Sequence, residues 1–510
     1  MSLARAWSVA LVGLDGAMVE VEAAIGNGLP RTVLVGLPDA SLYEARDRCR
    51  AAMASAGFGW PSDPVTINLS PAALPKAGSH FDLAIIAAVG ATRKLCDPGA
   101  LDGRALLGEV GLDGRVRRVR GLLAALLAVV RHEFASVIVP AEQMREASLV
   151  EGLSVTGVTD VVELFDVLRG GPGAACPAVR ADADADGPGK DLSDVAGQLE
   201  AKWALEVAAA GRHHLYLHGP PGAGKTLLAE RLPGVLPDLG PAEALEVSAV
   251  HSLAGESLDR GLIRRPPYAD PHHSATVASL VGGGARIAQP GAVSRAHRGV
   301  LFLDEAPEFS PRALEALRVP LESGRVVLAR AAATATYPAS FQLVMAANPC
   351  PCGLADTPGA ECRCGPTAVR RYRERVSGPI LDRVDIHQHV RPVRRAFLAA
   401  ALQAAEGSGV VAERVMAARH RQEARLSGLG WRTNADVPGV ALRRTLPVPG
   451  GVELLEEALA RGRLSARGVD KVLRLAWTIA DLAGAAVPDR DHLDTALALR
   501  RGEDVLTRRS

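Results

Sequence analysis

One octapeptide constrains this chain more than any other stretch. Gly219-Pro220-Pro221-Gly222-Ala223-Gly224-Lys225-Thr226 fits the spacing G-x-x-x-x-G-K-[ST]. The apolar run before it, Leu215-Tyr216-Leu217, reads as a buried strand, and Leu227 to Leu232 reads as the start of a helix. Glycines between a strand and a helix let successive backbone N–H groups turn toward phosphate oxygens, and the helix start adds a positive dipole end. Lys225 would then reach the β- and γ-phosphates while Thr226 holds Mg²⁺. A chance glycine-rich turn seldom meets the full spacing between a strand and a helix, so the stretch implies a site for a nucleoside triphosphate.

The rest of the chain must supply a sheet around that turn. At 510 residues it is too long for one ordinary core, and two or three domains are expected. Basic and acidic residues nearly cancel, 58 against 57, so any nucleic-acid contact must come from a local patch. Only six of the basic residues are lysine, and a chain this rich in Ala, Gly and Arg gives arginine clusters less weight. Asp15 interrupts the first apolar run and Val19-Glu20-Val21-Glu22 alternates like a strand, which excludes a signal peptide. No run reaches the ~18 apolar residues of a membrane span. Seven cysteines, four of them in one short stretch, favour a reducing compartment, and a cytoplasmic location is expected.

Residues 1–168 alternate short strands (Thr32–Val35, Val65–Leu69, Val137–Val139) with helices (Leu42 to Ala56, Gly121 to Arg131). Residues 169–190 hold almost no large apolar side chain and read as a linker. Residues 191–392 contain the phosphate loop, and residues 393–510 carry helical periodicity at Phe397 to Ala405, Ala412 to Leu426, Val452 to Ala460, Val469 to Leu482 and His492 to Leu499. The expected class is α/β, with an α+β N-terminal domain over 1–168, an α/β domain over 191–392 and a helical C-terminal region over 393–510.

Val300-Leu301-Phe302-Leu303-Asp304-Glu305 is an apolar strand ending in two carboxylates. Beside a P-loop this is the Walker B pattern: Asp304 would hold the Mg²⁺ shell and Glu305 would polarise the attacking water. Phe341 to Asn348 is a further buried strand, whose terminal Asn348 fits sensor 1, an amide that orients the water; a plain turn before Pro349 is the blander reading. In Leu381-Asp382-Arg383-Val384-Asp385, Arg383 fits an arginine finger, and Arg467, opening a helix after Ser465, fits sensor 2. Taken singly each is an ordinary salt-bridge arginine. In this order they form a set, and a finger given in trans implies a ring with every site between subunits.

Together these motifs resemble the AAA+ superfamily, its Mg-chelatase-like branch, and within it the YifB/ComM family. The family-level marks are Asp194-Val195-Ala196-Gly197-Gln198, Pro271-His272-His273-Ser274, Gly282-Gly283-Gly284, Pro290-Gly291, His297 to Glu305 and Asn348-Pro349-Cys350-Pro351-Cys352-Gly353. The resemblance implies a central P-loop AAA+ domain, a C-terminal helical lid, a homo-oligomeric ring (a hexamer), and ATP and Mg²⁺ as substrate and cofactor. It also implies an ATPase acting on DNA by branch migration or helicase action, in recombination of incoming DNA during competence. Leu280 to Arg286 resembles the branch's helix-2 insertion, and Leu321 to Arg330 reads as a hairpin with Ser323-Gly324 at its turn. In related helicases both face the pore, which makes Arg286, Arg325 and Arg330 candidates for DNA backbone contacts; solvated hairpin charges weigh nearly as much. A chelatase-type motor that remodels a protein partner is the alternative.

The N-terminal block resembles the ribosomal-S5-like fold of the Lon protease domain through Pro75 to Asp82 and Gly108 to Gly114. A Ser–Lys peptidase needs a serine beside a lysine. Here His80 stands at the position of the serine and Leu123 at that of the lysine, while Ser79 is one residue off. Lys76 is expected to be a surface or partner contact, and the domain is expected to be non-catalytic, a partner-binding or assembly module. Cys350, Cys352, Cys362 and Cys364 could supply four thiolates to one zinc, or form a reduced thiol cluster. The neighbouring His272 and His273 are expected to point apart.

Overall fold

The computed structural model describes residues 2–36, 40–76, 78–174, 189–284, 288–330, 333–355, 361–392 and 405–505. The alternating chain at the N-terminus forms a long antiparallel pair, Ser2–Val12 against Asp15–Ile25. Around it runs a mixed seven-stranded sheet in the order Thr32–Val35, Val65–Ser70, Asp15–Ile25, Ser2–Val12, Arg104–Leu106, Ser136–Pro140, Ser154–Val158. The wholly buried helix Asp82–Thr92 crosses one face, and Leu122–Arg131 packs by its apolar stripe on the other.

The second unit is a parallel five-stranded sheet ordered Tyr268–Ala269, Val300–Leu303, Gln342–Ala347, Leu215–His218, Ile386–His389. Its three central strands are apolar because helices cover both faces, as parallel sheets require. Ser408–Leu426, Glu453–Ala460, Ala466–Ala483 and Arg490–Arg501 make the C-terminal helical region. It is not a separate core: Val415, Leu475 and Trp477 are buried in one cluster with Ala204, Leu205 and Leu217 of the sheet unit. Among the described residues no helix is long and apolar enough to cross a membrane.

The N-terminal and ATP-loop units are docked, not merely tethered. Ala249 and Leu258 share a buried cluster with Val9, Leu122 and Leu126, while Gly121 N donates to the Ser252 carbonyl at 3.0 Å. Most of the 169–190 stretch, from 175 to 188, lies outside the described residues, as do Arg286 and the expected helix at Phe397.

Three expectations change. The hairpin exists but is formed by Arg325–Ala329 and Thr334–Pro338, so its tip falls after Arg330. Ser323-Gly324 instead ends the helix Arg318–Ser323, with Gly324 at φ +65° as its left-handed cap. Lys76 is buried rather than superficial, donating to the carbonyls of Gly36 (2.9 Å) and Pro71. The rings of His272 and His273 do not point apart; their centroids lie 4.0 Å from each other.

Candidate nucleotide site

The parallel register brings the predicted residues to one edge. His218 pairs with Ala347, and Leu303 with Met345. The phosphate loop, Asn348 and Asp304 therefore leave the carboxyl ends of three adjacent strands, where open α/β sheets bind ligands. Gly222 and Gly224 take φ +73° and +95°, the left-handed values that let the loop wrap inward. Pro220 and Pro221 have no N–H, so the donors of the loop begin at Gly222 and continue through Ala223, Gly224, Lys225 and Thr226. A side chain at Gly219 would meet the Val390 carbonyl at 2.2 Å, which explains the first glycine.

Lys225 donates to the carbonyls of Gly219 (2.7 Å) and Pro220 (2.9 Å) and to Asn348 Oδ1 (3.0 Å). Burial pushes its ammonium below the usual lysine range, and Asp304 and Glu305 pull it back up. Thr226 Oγ1 donates to Asp304 Oδ2 at 2.7 Å. A hydroxyl and a carboxylate in contact at the mouth of a phosphate loop are the donor set that Mg²⁺ takes beside a triphosphate, so the residues fit that group. Glu305 sits at φ +50°, an uncommon backbone for a residue with a Cβ, with its side chain 50% exposed and its Oε2 3.6 Å from His273 Nδ1.

Arg383 lies elsewhere. It precedes Ile386, which pairs with Leu215 at the start of the central strand, so it sits at the amino end of the sheet. Four residues of strand, roughly 13 Å, separate that end from the phosphate loop. Its guanidinium is only 12% exposed and pairs with Glu322, as does that of Arg467, 3.9 Å away and 69% exposed. Two predicted arginines thus meet at one carboxylate, away from their own P-loop.

The four cysteines converge. Their sulfurs lie within 4.8 Å of one another, with Cys350 to Cys352 at 3.3 Å, Cys350 to Cys362 at 3.7 Å and Cys352 to Cys362 at 3.6 Å. Four thiolates at ~2.3 Å from a tetrahedral zinc would stand roughly 3.8 Å apart, so the set fits that ion. Arg325 and Arg330 are exposed, one at the base and one at the tip of their hairpin. Arg330 Nε donates to the Gly284 carbonyl (3.0 Å), which ties the tip to the small Gly282–Gly283/Gln289–Pro290 hairpin.

At the Lon-type position His80 Nε2 donates to the Val9 carbonyl at 2.6 Å, and Leu123 is buried. Ser79 donates a hydrogen bond to Glu109, and Lys76 is engaged with carbonyls, so no serine–lysine pair forms among the described residues. Four contributors were not assigned roles from sequence. Gln198, at φ +55°, donates from Nε2 to the carbonyls of Ala223 (2.8 Å) and Arg391 (2.6 Å), bracing the phosphate loop. His273, Glu322 and Lys471 are the others; Gln198 and His273 lay inside quoted family marks, whereas nothing local signals the last two.

A P-loop, an acidic pair and a polar strand end on one parallel sheet, with helices packed beside it, define a P-loop ATPase fold of the AAA+ kind. Family models agree across the chain: "Subunit ChlI of Mg-chelatase" matches residues 21–143, "Magnesium chelatase, subunit ChlI" residues 191–398, and its C-terminal model residues 405–500. An uncharacterised protein of Mycobacterium tuberculosis is 52% identical, covering 98% of this chain and 99% of its own length. YifB of Escherichia coli is 40% identical (98% and 97% covered) and the competence protein ComM of Haemophilus influenzae 38% (98% of each). The chain belongs to the Mg-chelatase-like ATPases and, within them, to the YifB/ComM family.

Proposed function

We propose that the chain is an ATP-hydrolysing ring motor that acts on DNA. The observation that carries the motor is the position of Arg383, at the opposite end of the sheet from the phosphate loop it would have to serve. A finger there is useful only to a neighbouring subunit, so the site is shared and the assembly is a closed ring, a hexamer by family resemblance. Mg²⁺ held by Thr226 and Asp304 would offset charge between the β- and γ-phosphates. Lys225 exchanges its carbonyl partners for phosphate oxygens, Asn348 orients a water, and Glu305 takes its proton. Arg383, with Arg467 beside it, meets charge developing on the neighbour's γ-phosphate.

DNA is supported by two adjoining hairpins, one bearing Arg325 and Arg330 and the other with Arg286 between its two strands in sequence, and by likeness to a competence protein. ATP turnover measured with and without single-stranded and branched DNA tests this. Stimulation is expected; no stimulation together with no binding at low salt would favour the chelatase-type reading, in which the motor remodels a protein partner through its N-terminal unit. We further propose one structural zinc in the four-cysteine cluster. Elemental analysis of purified chain should give about one zinc per subunit, lost in Cys352→Ser; a metal-free, fully active preparation would remove the ion from this account.

A further inference from the structure

The segment carrying Arg383 is gripped by cations from the helical region, residue by residue. Lys471 Nζ donates to the Arg383 carbonyl at 2.7 Å and to Asp385 Oδ1 at 2.6 Å. Arg500 donates to the Val384 carbonyl and, at 3.3 Å, to Asp382 Oδ1. Four consecutive residues, 382 to 385, are thus held by two side chains from Ala466–Ala483 and Arg490–Arg501. The other side of the segment is rooted in the sheet, since Asp385 Oδ2 accepts from His214 N at 2.7 Å. Both cations are nearly buried, with Lys471 and Arg500 each 12% exposed.

Exposed ion pairs contribute little. Here the partners are backbone carbonyls and partly buried carboxylates, where losing a donor leaves a buried acceptor unpaired. The Arg383 guanidinium holds the Pro379 carbonyl (2.7 Å) and Glu322, while its Nε is buried without a partner. Arg467, one helical turn before Lys471, reaches the same Glu322 that Arg383 pairs with. The same helical region is also tied to the P-loop side: Ser408 N donates to Asp191 Oδ2 at 3.0 Å, and Arg231 of the P-loop helix donates to the Asp191 carbonyl at 2.6 Å.

We infer that Lys471 and Arg500 are positioning residues for the arginine finger, so that the helical region of one subunit sets the aim of Arg383 at the next subunit's triphosphate. This rests on the ring reading above. Its chemistry is mechanical: neither side chain touches nucleotide, and each acts through the 382–385 backbone.

The test uses full-length chain with Lys471→Met, Lys471→Arg, Arg500→Met and Arg383→Ala, alone and mixed with Glu305→Gln subunits. Lys471→Met should lower kcat at least ten-fold while KM for ATP stays within two-fold, because its own phosphate loop is intact. Lys471→Arg should recover most of the loss. Mixing Lys471→Met with Glu305→Gln subunits should restore turnover, since the latter supply sound fingers. Should Lys471→Met fail to fold, Arg500→Met is read in the same assays. If Arg383→Ala is restored by mixing but the positioning variants keep full activity, or lose it without restoration, the inference is overturned and the ring reading stands. If Arg383→Ala keeps full activity or is not restored, the ring reading falls and takes the inference with it.

Discussion

The two α/β units of this chain handle reactive side chains in opposite ways. In the N-terminal unit, each group at the Lon-type position is spent on its own scaffold: His80 on the Val9 carbonyl, Ser79 on Glu109, Lys76 on two carbonyls. A cavity of about 270 Å³ remains there, and Leu253 and Tyr337 of the other unit line its far side. In the P-loop unit the corresponding groups meet at an open sheet edge, and Glu305 keeps an unusual backbone and a half-exposed carboxylate. Strain and exposure are retained at the phosphate-loop edge and absent at the Lon-type position, where each reactive group is satisfied within its own unit.

The sharpest way to break that contrast is one substitution in each unit. Glu305→Gln should cut ATP turnover by about 10²- to 10⁴-fold, the usual worth of a general base, while ATP still binds. His80→Ser restores a hydroxyl at the Lon-type position yet should give no peptide hydrolysis, because Leu123 leaves no base. Turnover in the first variant, or cleavage of an unfolded protein by the second, would reverse the assignment of the two units.

A smaller effect is expected where the cysteine cluster touches the phosphate loop. A side chain at Gly353 would stand 2.4 Å from Pro221 Cγ, on a backbone at φ +79°. Gly353→Val should therefore weaken ATP binding about ten-fold, since small displacements of a positioned group are costly. Unchanged affinity by fluorescent-nucleotide titration would show that the cluster does not set the loop.

The units should also answer pH with opposite signs. Burial holds His213 down to about 3 and His214 and His387 to about 4 in the P-loop unit. Unfolded histidine binds protons near 6.5, so the stability these groups give is present above that value and is lost as pH falls toward 4. In the N-terminal unit burial raises Asp82 to about 6 despite its pairing with Arg48. Its contribution is full below the unfolded value of 3.8 and is lost as pH rises through 6. Unfolding free energies at pH 7 and 5 should fall on acidification for the parent chain, fall less in His213→Gln and fall more in Asp82→Asn, each difference being on the order of 1–3 kcal/mol. Equal pH dependence in all three would remove both groups from the account.

How much of this was legible in sequence follows from the range of each interaction. The P-loop, Asp304 and Asn348 could be read because an apolar strand and the polar residue at its end are contiguous. The hairpin tip was misplaced because Ser-Gly is equally good at capping a helix and at turning a hairpin; both want the left-handed glycine that Gly324 provides. Burial of Lys76 depends on the Gly36 carbonyl, 40 residues away, and the grip of Lys471 spans 88 residues to Arg383. No local pattern marks such partners. That Arg383 and Arg467 share Glu322 also needed the fold, since it follows from where two elements cross.

The smallest effect concerns what holds the two units together. Arg118 spans the junction, donating to Asp259 at 3.2 and 3.3 Å and to Ser257 at 3.3 Å, but both charged side chains are more than a third exposed. Exposed pairs contribute about 0–1 kcal/mol. Behind them Ser252 donates to Glu146 at 2.5 Å and caps Leu123 N within a buried apolar cluster. Arg118→Ala should therefore leave the thermal midpoint and ATP turnover nearly unchanged, whereas Ser252→Ala removes one of the three donors to buried Glu146, leaving Leu123 N and Gln143 Nε2, and should loosen the junction to proteolysis. If Arg118→Ala alone frees the N-terminal unit, docking depends on surface charge and would yield to salt; if it does not, the junction is held by its buried face and the two units move as one.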